Sequence, residues 1–194
     1  MSEVGYWRLV TQWCLGENDT FGTCAFAAIG NLHCVVTTAN GVPEVMSDGE
    51  IEAMDHSVTG FDPTDPATDK GAQLKAVLDY WMNNGWTGDP TMKPLWYGDI
   101  PKRDIPAMIK EYGGVYAWCL LPMRDDEPDL SDGALQANTP GTAAHAVLIV
   151  GAADGVFWIA TWGEVREISV AWWDRYGREQ YAVLHPAWKR PVTT

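Results

Sequence analysis

From Ala25 to Thr38 the chain is apolar nearly all round, interrupted only by Asn31 and His33. A helix without a polar face has to be covered on every side, so this one belongs in a core. Asn40-Gly41 ends it, and Pro43 prevents continuation. Just before it, Asn18-Asp19-Thr20-Phe21-Gly22-Thr23 reads as a polar turn that delivers Cys24 to the first turn of the helix. Helix N-termini present unpaired N–H groups and about half a positive charge, which favours a thiolate over a thiol. Cys24 is therefore a candidate nucleophile, provided a histidine can reach it. The run Ala143-Ala144-His145-Ala146-Val147-Leu148-Ile149-Val150-Gly151 offers one.

At 194 residues the chain suits one domain, long enough to bury a core without staples. An apolar content of 46% excludes wholesale disorder. Eleven tryptophans imply a core and grooves built from large flat side chains. The net charge of −13 argues against a nucleic-acid partner or an anionic membrane surface bound through a basic patch. Cysteines at 14, 24, 34 and 119 are too few and scattered for a disulfide framework, and no CxxC occurs. Cys34 and Cys119 sit in apolar runs and read as buried, unreactive thiols, whereas the partner of Cys14 is open. Neither a metal nor a cofactor is expected. The N-terminus lacks a basic region followed by an apolar stretch, and nothing approaches 18 continuous apolar residues. A soluble protein without signal peptide or transmembrane segment is expected, cytoplasmic or virion-associated.

Ser47-Asp48-Gly49-Glu50 matches a capping box opening a second helix through about Val58. Residues 62–69 read as loop, because prolines and aspartates defeat both regular periods. Asp69 can cap a third helix, Gly71 to Asn84, with Leu74, Val77, Leu78 and Trp81 on one stripe. A shorter helix after Asp104 turns Ile105, Met108 and Ile109 inward and stops at Gly113-Gly114. The pattern then changes to strands: Val115 to Leu121, Ala144 to Val150, Val156 to Thr161, Glu164 to Val170 and Gln180 to His185. Ser169 caps two helical turns before the last strand, and the acidic stretch Arg124 to Thr142 reads as a solvated loop. Helices first and antiparallel strands second is an α+β arrangement. His33 reads as a satisfied core histidine, and His56 and His185 as structural or exposed.

Three anchors, in order, resemble the papain-like cysteine peptidases. Gly22-Thr23-Cys24 before an apolar helix is similar to that family's Gly-Ser-Cys-Trp-Ala-Phe run. His145-Ala146-Val147, opening a strand that ends in Val150-Gly151, is similar to its His-Ala-Val…Val-Gly strand. Trp158-Ile159-Ala160-Thr161-Trp162-Gly163 is similar to its strand ending in Asn-Ser-Trp-Gly. A fourth match, Met46 to Ile51, resembles the segment opening that fold's second left-domain helix. The tryptophan-rich, acidic character also resembles phage proteins.

The resemblance implies a single two-lobed domain over 1–194, with a helical lobe over about residues 12–112 and a β-rich lobe over about 113–188. It implies that Cys24 attacks a carbonyl of a peptide or protein substrate while His145 forms the ion pair and later protonates the leaving group. The Cys24 N–H is implied as one oxyanion donor and Asn18, at the family's glutamine position, as the second. Gly22, Thr23, Ala144 and Trp162 fall at the substrate groove. The family's histidine-orienting asparagine falls on Ala160, which cannot accept a hydrogen bond. Thr161 beside it is a weak substitute, since neighbouring strand residues face opposite ways. The resemblance starts the domain almost at Met1, so no inhibitory prodomain is expected. Two alternatives follow. One is a weakened or inactive scaffold that binds or builds in a larger assembly, such as a phage particle or lysis system. The other is amidase or acyl-transfer chemistry on cell-wall peptides.

Overall fold

The computed structural model describes residues 3–86, 89–124, 127–135 and 142–189. A short strand, β1 (Val4–Gly5), precedes the buried helix α1 (Cys24–Ala39), which starts at the cysteine itself. Of its sixteen residues, twelve are buried, including Asn31, whose side-chain oxygen accepts the Cys14 N–H at 2.9 Å. Helix α2 (Asp48–Thr59) opens on the expected capping box: Ser47 Oγ accepts the Glu50 N–H, and Glu50 accepts the Ser47 N–H. Helix α3 (Leu74–Asn84) buries Leu74, Val77, Leu78 and Trp81 as its spacing predicts. It begins three residues later than expected, and Gln73 rather than Asp69 precedes it.

Strand β2 (Trp96–Asp99), which the sequence pattern did not reveal, is followed by α4 (Ile105–Tyr112). Then come β3 (Val115–Arg124), the two-residue β4 (Glu127–Pro128), β5 (Thr142–Ala153), β6 (Val156–Thr161) and β7 (Glu164–Ser169). Helix α5 (Val170–Tyr176), capped by Ser169 Oγ, leads into β8 (Gly177–Leu184). The acidic stretch expected to be a continuous loop contains β4 and a 3-10 turn at Asp132–Leu135. Asp125, Asp126 and residues 136–141 of that stretch lie outside the described residues.

The strands pair antiparallel in the order β2-β8-β3-β5-β6-β7, with β1 beside β5 and β4 beside β3. Successive side chains of β5 alternate between two apolar clusters. Ala146, Leu148 and Val150 pack with α1, α2 and α3, whereas Val147 and Ile149 pack with α4 and α5. The sheet is thus buried on both faces, and the resulting α+β layers bring the start of α1 against the start of β5. Among the described residues no helix is long and apolar enough to cross a membrane.

Candidate active site

Thr23 precedes α1, yet its hydroxyl does not cap the helix; it donates to the Gly16 carbonyl at 2.5 Å instead. The first N–H groups of the helix therefore have no side-chain acceptor. The N–H groups of Ala146, Cys24 and Ala25 all act on the Cys24 sulfur and favour its thiolate. Burial acts the other way and is the larger effect, so the thiol is pushed up. At this sulfur burial thus opposes the thiolate that the helix terminus favours. The other cysteines are buried and free as well, with Cys14, Cys34 and Cys119 pushed up to about 12, about 11 and about 12 by desolvation.

The turn before Cys24 is fixed from outside. The Gly22 N–H is directed at both Asp69 carboxylate oxygens, at 2.9 and 3.2 Å. A Cβ at position 22 would lie 2.5 Å from Asp69 Oδ1, so a larger residue there would displace this carboxylate. Asp69 is thus engaged by the turn before Cys24, which explains why it does not cap α3.

His145, on β5, is 7% exposed. Its Nε2 lies 2.6 Å from Thr161 Oγ1, and the Trp162 ring stacks on the imidazole at 4.5 Å and 15°. The alternation of the strand decides which neighbour does this. Ala160 pairs with Leu148 and is fully buried on the α1 side of the sheet. Thr161 is one residue on, level with Val147, so its side chain emerges on the face that His145 shares, one diagonal step away. The rule that made Thr161 a weak substitute is the rule that brings it to the histidine, because His145 and Thr161 share one side of the sheet. Trp162 and Gly163 have φ of +48° and +72° and form the two-residue turn between β6 and β7. A tryptophan there is strained, and its stacking against His145 offsets that cost. Burial lowers the His145 pKa to about 4, so the ring is neutral at ordinary pH.

Cys24 and His145 line one cavity of about 800 Å³, together with Gly22, Ala144 and Ala146. Three of the other positions assigned from sequence are placed elsewhere. Thr23 is fully buried, Trp162 lies over the imidazole, and Asn18 sits half-buried on the turn with its N–H donated to the Leu15 carbonyl; none of the three lines the cavity. The lining also includes Lys70, Gly71, Trp118, Glu179 and Tyr181, which sequence reasoning missed. Gly71, with φ of +60°, was the one available signal, since a left-handed glycine in a polar loop marks a tight turn. The strand residues carry no local mark, because only the sheet order places β3 beside β5 and β8 next along. Tyr181 donates to Glu179 at 3.2 Å and is pushed up to about 12, chiefly by burial. Among the described residues no group of three or more His, Cys, Asp or Glu side chains is arranged to hold a metal ion.

The helix that carries Cys24, packed on the sheet that carries His145, makes a fold with solved counterparts. The structure of xylellain, a cysteine protease from Xylella fastidiosa, matches with a TM-score of 0.63 at 12% identity, over 85% of this chain and 80% of that one. The fold is papain-like. Bromelain from Ananas comosus, solved with the E64 inhibitor, matches with a TM-score of 0.62 at 9% identity, over 95% of this chain and 99% of that one. At these identities the papain-like likeness is one of fold. Neither a protein-family model nor a curated protein matches the sequence.

Proposed function

We propose that this papain-like chain is a thiol hydrolase that cleaves peptide or related amide bonds with Cys24 as nucleophile and His145 as general base. One observation carries the reading: Cys24 and His145 share a cavity wall, and Thr161 occupies His145 Nε2, leaving Nδ1 as the nitrogen free for chemistry. With Nε2–H donated to Thr161 Oγ1, Nδ1 holds a lone pair and takes the Cys24 proton as sulfur attacks the carbonyl carbon. The imidazolium then returns that proton to the leaving amine as the C–N bond breaks, giving a thioester. A water molecule attacks the thioester, losing its proton to Nδ1, and the acid departs as the thiol is restored. Nε2–H keeps its acceptor throughout, so no group has to reorganise between steps.

Burial favours the neutral form of both partners, and in this reading proton transfer and attack belong to one event. The Cys24 N–H, at the open start of α1, faces the developing oxyanion. Asn18 serves as the second donor only if its turn swings toward the cavity. The specific test is labelling by an epoxide thiol inhibitor. One equivalent is expected on Cys24 and none in Cys24→Ala. A Cys24 that stays unmodified at neutral pH, alongside intact fold, refutes the reading. Assaying a generic peptide beside purified peptidoglycan separates peptidase from cell-wall amidase.

A further inference from the structure

Between α2 and α3 the chain carries Asp62, Asp65 and Asp69, and their carboxylates bond differently. Asp62 Oδ1 accepts the Thr64 N–H and hydroxyl, at 2.8 and 2.7 Å, and Asp65 Oδ1 accepts the Ala67 N–H at 3.1 Å. Those bonds close short turns inside the loop. The Thr68 hydroxyl ties the two turns together: it accepts the Asp62 N–H at 2.8 Å and donates to the Asp65 carbonyl at 2.7 Å. From this self-bonded frame Asp69 reaches out instead, to the Gly22 N–H 47 positions away.

Gly22 stands two residues before Cys24. The turn it belongs to is shaped largely by its own backbone: the Thr20 and Phe21 N–H groups both donate to the Glu17 carbonyl at 2.9 Å, and the Thr23 hydroxyl donates to Gly16. Such local bonds set the form of a turn but not its place in the molecule. Two contacts with the loop set its place. Phe61 meets Phe21 edge to face at 5.2 Å and 62°, and Asp69 holds the Gly22 N–H with both oxygens. The hydrogen bond, made to a carboxylate, is the directional one of the two.

Past Asp69 the chain enters the cavity, where Lys70, Gly71 and Leu74 join Gly22 and Cys24 in the lining. The two main chains come close here. A Cβ on Gly22 would lie 3.4 Å from the Gly71 nitrogen, and one on Gly71 would lie 3.8 Å from the Gly22 carbonyl oxygen. Asp69 thus stands at the junction of the turn that carries Cys24 and the run that leads into α3. We propose that Asp69 is a positioning residue for this site: through the Gly22 N–H it fixes the sulfur-bearing turn and seats it against residues 70–74. The proposal rests on the hydrolase reading. It matters because a reacting atom misplaced by about 1 Å can cost about 10²-fold in rate.

The test is inactivation of the full chain by an epoxysuccinyl peptide, with kinact and KI resolved and the melting temperature of each variant measured. Asp69→Ala removes both acceptor oxygens and Asp69→Glu displaces them by one methylene. Each is expected to lower kinact by about 10–100-fold. Asp69→Asn keeps an oxygen for the Gly22 N–H and is expected to restore most of the rate. Asp62→Ala breaks a turn of the same loop without touching Gly22; it is expected to lower the melting temperature and leave kinact unchanged. Loss of folded chain lowers the fraction labelled but not kinact, so the rate constant reads position rather than stability. Should Asp69→Ala fail to fold, the contrast between Asp69→Glu and Asp69→Asn decides. A kinact indifferent to residue 69, an Asp69→Asn as slow as Asp69→Glu, or an Asp62→Ala equally slow overturns the proposal alone. A natural chain whose Cys24 takes no epoxide overturns the hydrolase reading, and this proposal with it.

Discussion

His145, on β5, and His185, just past the end of β8, are both buried, and burial lowers both, to about 4 and about 3. Their hydrogen bonds differ. His185 has both ring nitrogens committed, Nδ1 to the Ala187 N–H and Nε2 to His33. His145 has Nε2 on the Thr161 hydroxyl and stands on the wall of the cavity that holds Cys24. Desolvation alone therefore does not mark a catalytic histidine. One nitrogen fixed and the other uncommitted is the combination that the proposed proton transfer uses.

The contrast breaks most sharply on substitution. His145→Ala is expected to lower kcat/KM on a cleaved peptide by about 10²–10⁴-fold. His185→Ala is expected to leave kcat per folded molecule unchanged, while urea unfolding shows a loss of about 1–3 kcal/mol from the unpaired groups it strands. Equal kinetic damage from both would erase the distinction.

Thr161→Val keeps the shape of the side chain and removes the oxygen that fixes Nε2. A fall in kcat of about 10–100-fold is expected, the range found when the partner orienting a functional histidine is lost. Thr161→Ser, and Thr161→Asn if its amide reaches, should restore most of it. The rate of Cys24 alkylation should fall on acidification only near pH 4, as His145 protonates. A half-point near the ordinary histidine value would show the ring to be solvated.

Acid also separates the buried groups by sign. Both histidines have folded pKa values below the unfolded 6.5, so the unfolded chain binds more protons between that value and about 4 or 3. Their contribution to stability is whole above 6.5 and is lost as pH falls through that window. Asp55 runs oppositely: burial raises it to about 6, despite the Thr59 hydroxyl, so it strains the fold above that pH and relaxes below it. The smallest expected effect follows. Asp55→Asn should raise the melting temperature at pH 7 by a few degrees and steepen its decline on acidification; an unchanged value would mean that Asp55 is solvated.

The segments whose order was legible in the sequence were those ruled by local chemistry. The Ser47–Glu50 box and the apolar circumference of α1 each carry their instruction within a few residues. The edge strand β2 was missed because its exposure pattern shows no clean alternation. The start of α3 was set early because Asp69, a good cap by composition, makes its bonds to Gly22, 47 positions away.

By itself the sequence determined that a cysteine would stand at the first turn of a core helix and that His145 would open a β-strand, since both follow from short-range periodicity and turn residues. Only the tertiary structure decided that Thr161 rather than Ala160 meets the imidazole, that desolvation outweighs the helix terminus at Cys24, and that β3 and β8 help wall the cavity. Those outcomes depend on sheet order, on which face of a strand is covered, and on exclusion of water. None of these is a property of neighbouring residues along the chain.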